Sequence, residues 1–165
     1  MPETRVRCIS LLRKGGVRPK VIAHCKAVCS YAEEYAKRSD LADRNLVTIG
    51  AMLHDIGRGN THSIGHAQRG ADLLREKGFH EEIARIVECH TGAGLTADEC
   101  TLLGLLPRDC MPQTIEEKIV THSDNLIAGS TRVIIDEEIA AAVHLPRKIR
   151  KRMYRLANDV ELLTQ

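Results

Sequence analysis

The chain has 165 residues, a length that fits one domain built around a single hydrophobic core. Hydrophobic residues make up 43% and charged residues 28%, a balance that excludes a disordered protein. The formal net charge of +2 excludes a strongly basic or acidic chain, so any surface for a polyanion must be local.

The remaining composition narrows the protein class further. With no tryptophan, one phenylalanine and three tyrosines, the chain has too few aromatic residues for an extended base-stacking platform. The N-terminus has no apolar run long enough for a signal peptide or a membrane span, so we expect a cytoplasmic protein without membrane contact. Six cysteines without a C-x-x-C pair indicate reduced, packed thiols.

Apolar residues recur at helical spacing in most segments, and no segment shows the sustained alternation of a half-buried strand. We therefore predict an all-α protein, a bundle of about six to eight helices spanning residues 1–165. The first helix covers 4–14 and ends at Gly15-Gly16, and Pro19 opens the second. The third begins after Asp43 as its N-cap and runs into His54-Asp55. Its predicted buried residues are Leu46, Ile49, Gly50 and Leu53.

Further helices are predicted in the second half of the chain. "IGHAQRGADLLREKG" forms the fourth helix, with Gly78 after its end, and "HEEIARIVECH" forms the fifth. "TADE" at 96–99 and "TIEE" at 114–117 are capping boxes that each begin a helix, and the second of these helices carries Asp124. "GLLPRDCMP" is typical of an irregular connection, and 146–163 form a very basic last helix.

Histidine and aspartate residues lie at the edges of the predicted apolar stripes. His24 borders the stripe of the second helix, and His54 and Asp55 end that of the third. Asp124 is in helical phase with Val120, Ile127 and Ala128, which predicts that it points toward the core. A buried carboxylate needs a partner, and a metal ion is one. An ordinary polar helix end and a hydrogen-bonded core histidine are the commoner explanations for each residue alone.

The order of these residues resembles one known family. His24, "HD" at 54–55 and Asp124 in "THSDNL" are similar to the HD superfamily of metal-dependent phosphohydrolases, and "HDIG" matches its HDIG-type members. "HAQRGADLL" at 66–74 and "CHTGAG" at 89–94 resemble two further segments of several HD branches. The YqeK-like branch and small archaeal-type predicted hydrolases share this order. The resemblance covers about residues 20–130.

The resemblance implies a ligand set. His24, His54, Asp55 and Asp124 would bind one divalent ion, and His66 and His90 would hold a second ion with Asp55 shared between the two. His62 lies one helical turn before His66 and competes for that role, but His66 has the expected Gly70-Ala71 spacing behind it. Imidazole and carboxylate ligands suit Mn, Fe, Co, Ni or Zn better than Mg or Ca. We expect one ion and regard a second as an open alternative.

The resemblance also implies an activity, which is hydrolysis of a phosphomonoester or phosphodiester bond in a small phosphorylated substrate such as a nucleotide. Bound metal would activate water, with Asp55 as a shared ligand. Arg58 stands where HDIG proteins often have lysine and would bind a substrate phosphate, although a solvated arginine is an alternative. Two other functions stay open, a di-iron oxygenase of related fold and a metal-braced nucleotide- or RNA-binding module without turnover.

The basic C-terminal helix and the long connection after His90 complete the set of candidate regions. The cations of this helix could contact RNA phosphates, but a solvated outer face is the commoner explanation. They are Arg147, Lys148, Arg150, Lys151, Arg152 and Arg155. Residues 91–112 form a connection long enough to be a lid or a specificity wall. His122 is expected to face away from the site, because it is two residues before Asp124 on the same helix, and His80 and His144 are expected on the surface.

Overall fold

The computed structural model describes residues 2–165 and confirms the all-α class. The helices are α1 Pro2–Lys14, α2 Pro19–Arg38, α3 Arg44–Leu53, α4 His66–Glu76, α5 Glu81–Cys89, α6 Ala97–Leu102, α7 Ile115–Asn125, α8 Ile135–Ala141 and α9 Arg147–Leu163. Two 3-10 turns occupy Ile56–Gly59 and Ala142–His144, and β1 Ile127–Ala128 pairs antiparallel with β2 Thr131–Arg132. The described residues thus contain nine α-helices, one more than the upper end of the predicted range.

Local capping explains where several helices begin. The Asp43 carboxylate accepts hydrogen bonds from the backbone N–H groups of Asn45 and Leu46, which begins α3. Thr96 and Thr114 form the two predicted capping boxes with Glu99 and Glu117 at the starts of α6 and α7. The first box begins α6 within the connection that follows His90, and the second begins α7 after it.

The hydrophobic core is centred on α2, which packs against α3 and α7, while α4 packs against α5. Leu46 and Ile49 are only partly buried, contrary to the sequence prediction, whereas Gly50 and Leu53 are buried as predicted. The other buried residues of α3 are Val47, Thr48, Ala51 and Met52. Asp124 does share a face with buried Val120, but α7 ends at Asn125, so Ile127 and Ala128 lie in β1 and not on that helix. The predicted helical face therefore contains Val120 and Asp124, but not Ile127 and Ala128.

Two short elements were not predicted, namely the β1–β2 hairpin and α8. The first turn of α8 carries three acidic residues, and none of the seven residues of this helix is fully buried. All six cysteines are free and buried. Within residues 2–165, no helix is both long enough and apolar enough to cross a bilayer.

Candidate metal centre

Six of the predicted site residues meet at one place in the fold. Each lies at or near the end of a helix, apart from His24 in the middle of α2. They are His24 of α2, His54 and Asp55 after α3, His66 at the start of α4, His90 after α5 and Asp124 in the last turn of α7. His54, Asp55, His66 and His90 are buried, and the side chains of His24 and Asp124 are 18% and 20% exposed. The cluster is therefore open to solvent on the side of α2 and α7.

The four histidine rings are all oriented in the same way. Each ring places Nδ1 against a backbone carbonyl oxygen, which can only accept a hydrogen bond, so Nδ1 carries a proton and Nε2 is the atom that faces the cluster. The contacts are His24 to Gly129 at 2.7 Å, His54 to Ala51 at 2.8 Å, His66 to Ser63 at 2.9 Å and His90 to Val87 at 2.7 Å. A histidine that binds a metal through one ring nitrogen usually donates a hydrogen bond from the other ring nitrogen to a carbonyl or carboxylate oxygen.

One half of the cluster surrounds Asp124. The Asp124 Oδ1 atom lies 2.8 Å from His24 Nε2 and 3.4 Å from His54 Nε2. His54 Nε2 is buried and has no hydrogen-bond partner in the described part of the chain. Since a lone pair facing a carboxylate oxygen is repulsive, both short distances need a positive charge between the atoms. His24, His54 and Asp124 are close enough together to bind one ion.

The other half of the cluster surrounds Asp55. Asp55 Oδ1 lies 3.1 Å from His66 Nε2 and 3.7 Å from His90 Nε2, and the two Nε2 atoms are 3.0 Å apart. His54 Nε2 lies 3.8 Å from Asp55 Oδ2. Two ligand atoms that each lie about 2.1 Å from one ion are separated by about 3 Å or slightly more. The donor set and its spacing therefore fit a divalent ion.

The electrostatics of the cluster also favour bound positive charge. Burial opposes ionisation of Asp55, but His54, His66 and His90 outweigh it and hold the pKa of that carboxyl well below its usual range. Burial likewise opposes ionisation of Asp124, and His54 and His24 keep its pKa low. Burial lowers the pKa of His54, yet Asp124 and Asp55 raise it to about 9. Without an ion the site draws a proton to His54, and a metal ion would displace that proton.

The glycines of the "HDIG" and "HAQRGA" segments bring the 3-10 turn after Asp55 against α4. A Cβ atom on Gly57 would overlap the carbonyl oxygen of His66 and lie 2.9 Å from the backbone nitrogen of Gly70. A Cβ on Gly70 would lie 3.0 Å from the Gly57 nitrogen. Only glycine allows this approach of the 3-10 turn to α4, which places Asp55 against His66.

Arg58 holds Asp55 from the opposite side. Its Nε donates to Asp55 Oδ1 at 3.0 Å, and its Nη1 donates to the carbonyl oxygen of His62 at 3.1 Å. Its Nη2 makes no hydrogen bond within residues 2–165, and the side chain is 29% exposed. His62 itself is exposed and contributes only this carbonyl, so the structure places His66, and not His62, in the cluster.

Some contributors to the site have no sequence signal. The Gly129 carbonyl that orients His24 belongs to the unpredicted hairpin. Asn125 donates to the Gly92 carbonyl at 2.7 Å and fastens the segment after His90 to α7. Glu138 of α8 is half-buried, and burial together with the nearby charge of Asp124 raises its pKa, so α8 adds a carboxyl near the cluster.

The three histidines predicted to lie away from the site are outside the cluster. His122 is buried, but it lies on another face of α7 than Asp124. Its Nε2 is 3.2 Å from the hydroxyl oxygen of Tyr35 in α2. Burial lowers the pKa of His122 to about 4. His80 and His144 are exposed.

Comparison with known proteins identifies the family. The sequence model described as the HD domain matches residues 21–129, which include all six clustered residues. The chain belongs to the HD domain family. The finer resemblance to the YqeK-like branch stays a prediction.

This HD-domain protein also has close relatives and structural neighbours. An uncharacterized protein of Methanocaldococcus jannaschii is 51% identical over 123 residues, which cover 72% of this chain and 73% of that one. The tRNA (cytidine(56)-2'-O)-methyltransferase of Thermoplasma volcanium is 46% identical over 80% of this chain, which spans only 39% of that longer protein. The HD domain of the Listeria monocytogenes phosphodiesterase PgpH, in complex with cyclic-di-AMP, is similar with a TM-score of 0.60 and 20% identity. That match covers 94% of this chain and 98% of the PgpH domain.

Proposed function

We propose that this HD-domain protein is a metal-dependent phosphohydrolase that cleaves a phosphomonoester or phosphodiester bond in a nucleotide. One observation carries the proposal. Four histidine Nε2 atoms converge on two ionised carboxylates, and all four rings have their Nδ1 proton committed to a backbone carbonyl. Imidazole nitrogens that face carboxylates in this way are chemically explained by bound divalent cations.

The proposed ligands divide into two sets. His24, His54, Asp55 and Asp124 would hold one ion, and His66 and His90 would hold a second with Asp55 shared. The mixture of imidazole and carboxylate favours Mn, Fe, Co, Ni or Zn. Such ions supply Lewis acidity, which lowers the pKa of water and stabilises charge on phosphoryl oxygens.

The chain's own residues would orient the substrate. Asp55 stays ionised because three histidines lower its pKa, so it acts as a shared ligand and not as a free base. Arg58 fixes the Asp55 carboxylate through Nε and leaves Nη2 for a phosphate oxygen. The partly exposed edge formed by His24 and Asp124 is the side from which a phosphate can enter.

The relatives support the substrate class in different ways. The HD domain of PgpH binds cyclic-di-AMP, which favours a nucleotide diester as the substrate of this chain. The relative from Thermoplasma is a tRNA methyltransferase, and this favours a second candidate, an RNA-binding HD module whose metal stabilises the fold without turnover. Both candidates use the same ligands, so turnover distinguishes them.

A product-release assay tests the proposal. The substrates are nucleoside monophosphates, cyclic and linear dinucleotides and dinucleoside polyphosphates, each with Mn, Fe, Co, Ni, Zn and Mg in turn. We expect release of phosphate or nucleotide from one substrate class. The rate should fall at least about 100-fold in Asp55→Asn, since even substitution of a residue that only hydrogen-bonds a metal ligand lowers metal affinity or activity about 10- to 100-fold. Asp136→Asn on the exposed face of α8 is the matched control and should keep full activity. Metal-loaded protein without any turnover would favour the binding module, and oxygen uptake would favour the oxygenase.

A further inference from the structure

A groove between α8 and α9 is lined by cations. Four cations and a tyrosine of α9 recur at spacings of three and four residues, so they share one face of the helix over about two turns. They are Arg147, Arg150, Lys151, Tyr154 and Arg155, and with Ile139 of α8 they line a groove of about 400 Å³. None of the described residues that line this groove is acidic.

The remaining two cations of this part of α9, in contrast to those of the groove, both contact a carboxylate. Arg152 forms a two-pronged contact with the Glu99 carboxylate at 2.9 and 3.0 Å, and Lys148 lies 2.9 Å from the same carboxylate. The four cations of the groove, in contrast, have no carboxylate within 4.0 Å in the described part of the chain. The groove therefore concentrates unneutralised positive charge on a chain whose net charge is only +2.

The charge pattern of α9 conflicts with helix stability. Six of the nine residues from Arg147 to Arg155 are lysine or arginine, and the first turn has no acidic residue. The N-terminal end of a helix carries partial positive charge, so cations there are unfavourable. α8 follows the ordinary rule, with three acidic residues in its first turn. Local conflicts of this kind are typical of functional surfaces.

We propose that this groove binds the sugar-phosphate backbone of a single-stranded nucleic acid. The guanidinium groups of Arg147, Arg150 and Arg155 present forks that match phosphate oxygens, and Lys151 adds a fourth positive charge. Tyr154 is 49% exposed between cations of successive turns and stacks on one base. Since this face of α9 has a single aromatic ring, phosphate contacts dominate and binding is salt-dependent and tolerant of sequence. Binding in the groove does not require hydrolysis at the metal centre.

Fluorescence anisotropy with the full chain tests this site. The probes are labelled single strands of RNA and of DNA, twelve nucleotides long and of mixed sequence, titrated between 50 and 200 mM KCl and checked for intactness. Each phosphate contact to a single strand contributes about 0.7 to the slope of log affinity against log salt, so four cations predict a slope of roughly −2 to −3. The ratio of the two affinities identifies RNA or DNA as the ligand.

Matched variants locate the binding surface. Lys151→Gln with Arg155→Gln should weaken binding at least tenfold at 50 mM KCl and reduce the slope by about 1.4. Arg44→Gln with Lys77→Gln removes two exposed cations elsewhere and should change the affinity less than twofold. Tyr154→Ala should weaken binding about fivefold, whereas Tyr154→Phe keeps the stacking ring and the affinity.

Three results would overturn the site. The first is equal binding by the groove variant and the matched control, which would place the nucleic acid elsewhere. The second is tight binding to vesicles that contain phosphatidylglycerol with no binding to either probe, which would make the groove a membrane surface. The third is no binding of any probe. Nucleotide hydrolysis, measured on the same variants, should be unchanged, which separates this site from the proposed activity at the metal centre.

Discussion

The Nε2 atoms of His66 and His90 face each other at 3.0 Å, although each ring uses its Nδ1 proton in a backbone hydrogen bond. Two lone pairs at this distance repel unless a proton or a metal ion lies between them. Burial lowers the pKa of His90, which disfavours the proton. This pair therefore provides the clearest test for a second ion.

We expect His90→Asn to lower the metal content of Mn-loaded protein from two ions per chain to one. The ligands of the first ion lie on other elements and should retain it. Elemental analysis after dialysis measures the ratio, and His80→Asn, an exposed histidine, serves as the control. Two ions in the variant, or one in the parent, would remove His66 and His90 from the ligand set.

Gly57→Ala should disrupt the approach of the 3-10 turn to α4. Its Cβ would overlap the His66 carbonyl oxygen, so the turn must move and take Asp55 with it. We expect a loss of about 1–3 kcal/mol in the free energy of unfolding, as for other overpacked positions, and at least tenfold lower turnover. Urea denaturation and the product-release assay measure both effects.

Gly78→Asn is the matched control for this change. Gly78 has a φ of 77° and no atom within 4 Å of an added Cβ, and asparagine tolerates this backbone conformation. Similar losses of stability for the two variants would show that crowding at Gly57 is not the cause.

Arg58→Lys should reduce kcat/KM about tenfold to 100-fold, because lysine cannot bond Asp55 and the His62 carbonyl together while still reaching a phosphate. A rise in KM would report the lost phosphate contact, and a fall in kcat would report the displaced Asp55. Arg69→Gln, an exposed change on α4, should leave both constants near those of the parent. Unchanged kinetics in Arg58→Lys would identify Arg58 as a solvated arginine.

The contact between Glu99 and Arg152 should make stability depend on pH. The hydrogen bonds from Arg152 hold the pKa of Glu99 well below its usual range, although burial opposes this shift. The backbone of Thr96 and the ammonium group of Lys148 lower the pKa further. Because the pKa is lower in the folded state, this stabilisation is present above about pH 4.3, the unfolded value, and is lost as the pH falls toward the folded value. The stability of the parent should therefore decrease between about pH 5 and pH 2.

Glu99→Gln should lose about 1–2 kcal/mol at pH 7 and show a flatter pH profile in that window. Urea denaturation at pH 7, 5 and 3.5 measures both properties. Glu82→Gln, an exposed glutamate on α5, should follow the parent. Parallel profiles for parent and Glu99→Gln would assign the acid sensitivity to other carboxylates.

Sequence patterns predicted the parts of this protein that depend on local chemistry. Asp43, Thr96 and Thr114 begin their helices through hydrogen bonds within three residues, so each start could be predicted from a short segment. The choice of His66 over His62 also rested on local spacing, and its physical reason is the contact between Gly57 and Gly70.

Other parts depend on contacts that no local pattern encodes. The Gly129 carbonyl that orients His24 is 105 residues away along the chain. The short acidic helix α8 packs against α9, a contact that its own sequence does not encode, and neither the helix nor Glu138 was predicted. Leu46 and Ile49 follow the helical period, yet α3 has neighbours on more than one side, and Val47 and Ala51 are buried more deeply.

Three of the four histidines bond the carbonyl three residues before them, and those carbonyls belong to the short segments "AMLH", "SIGH" and "VECH". Two of the three are carbonyls in the last turn of a helix, which lack a partner within the helix itself. In these two segments the same hydrogen bond satisfies a carbonyl at the helix end and aims a ligand. Such a segment is portable, because grafted onto the end of another buried helix it would carry the direction of its imidazole with it.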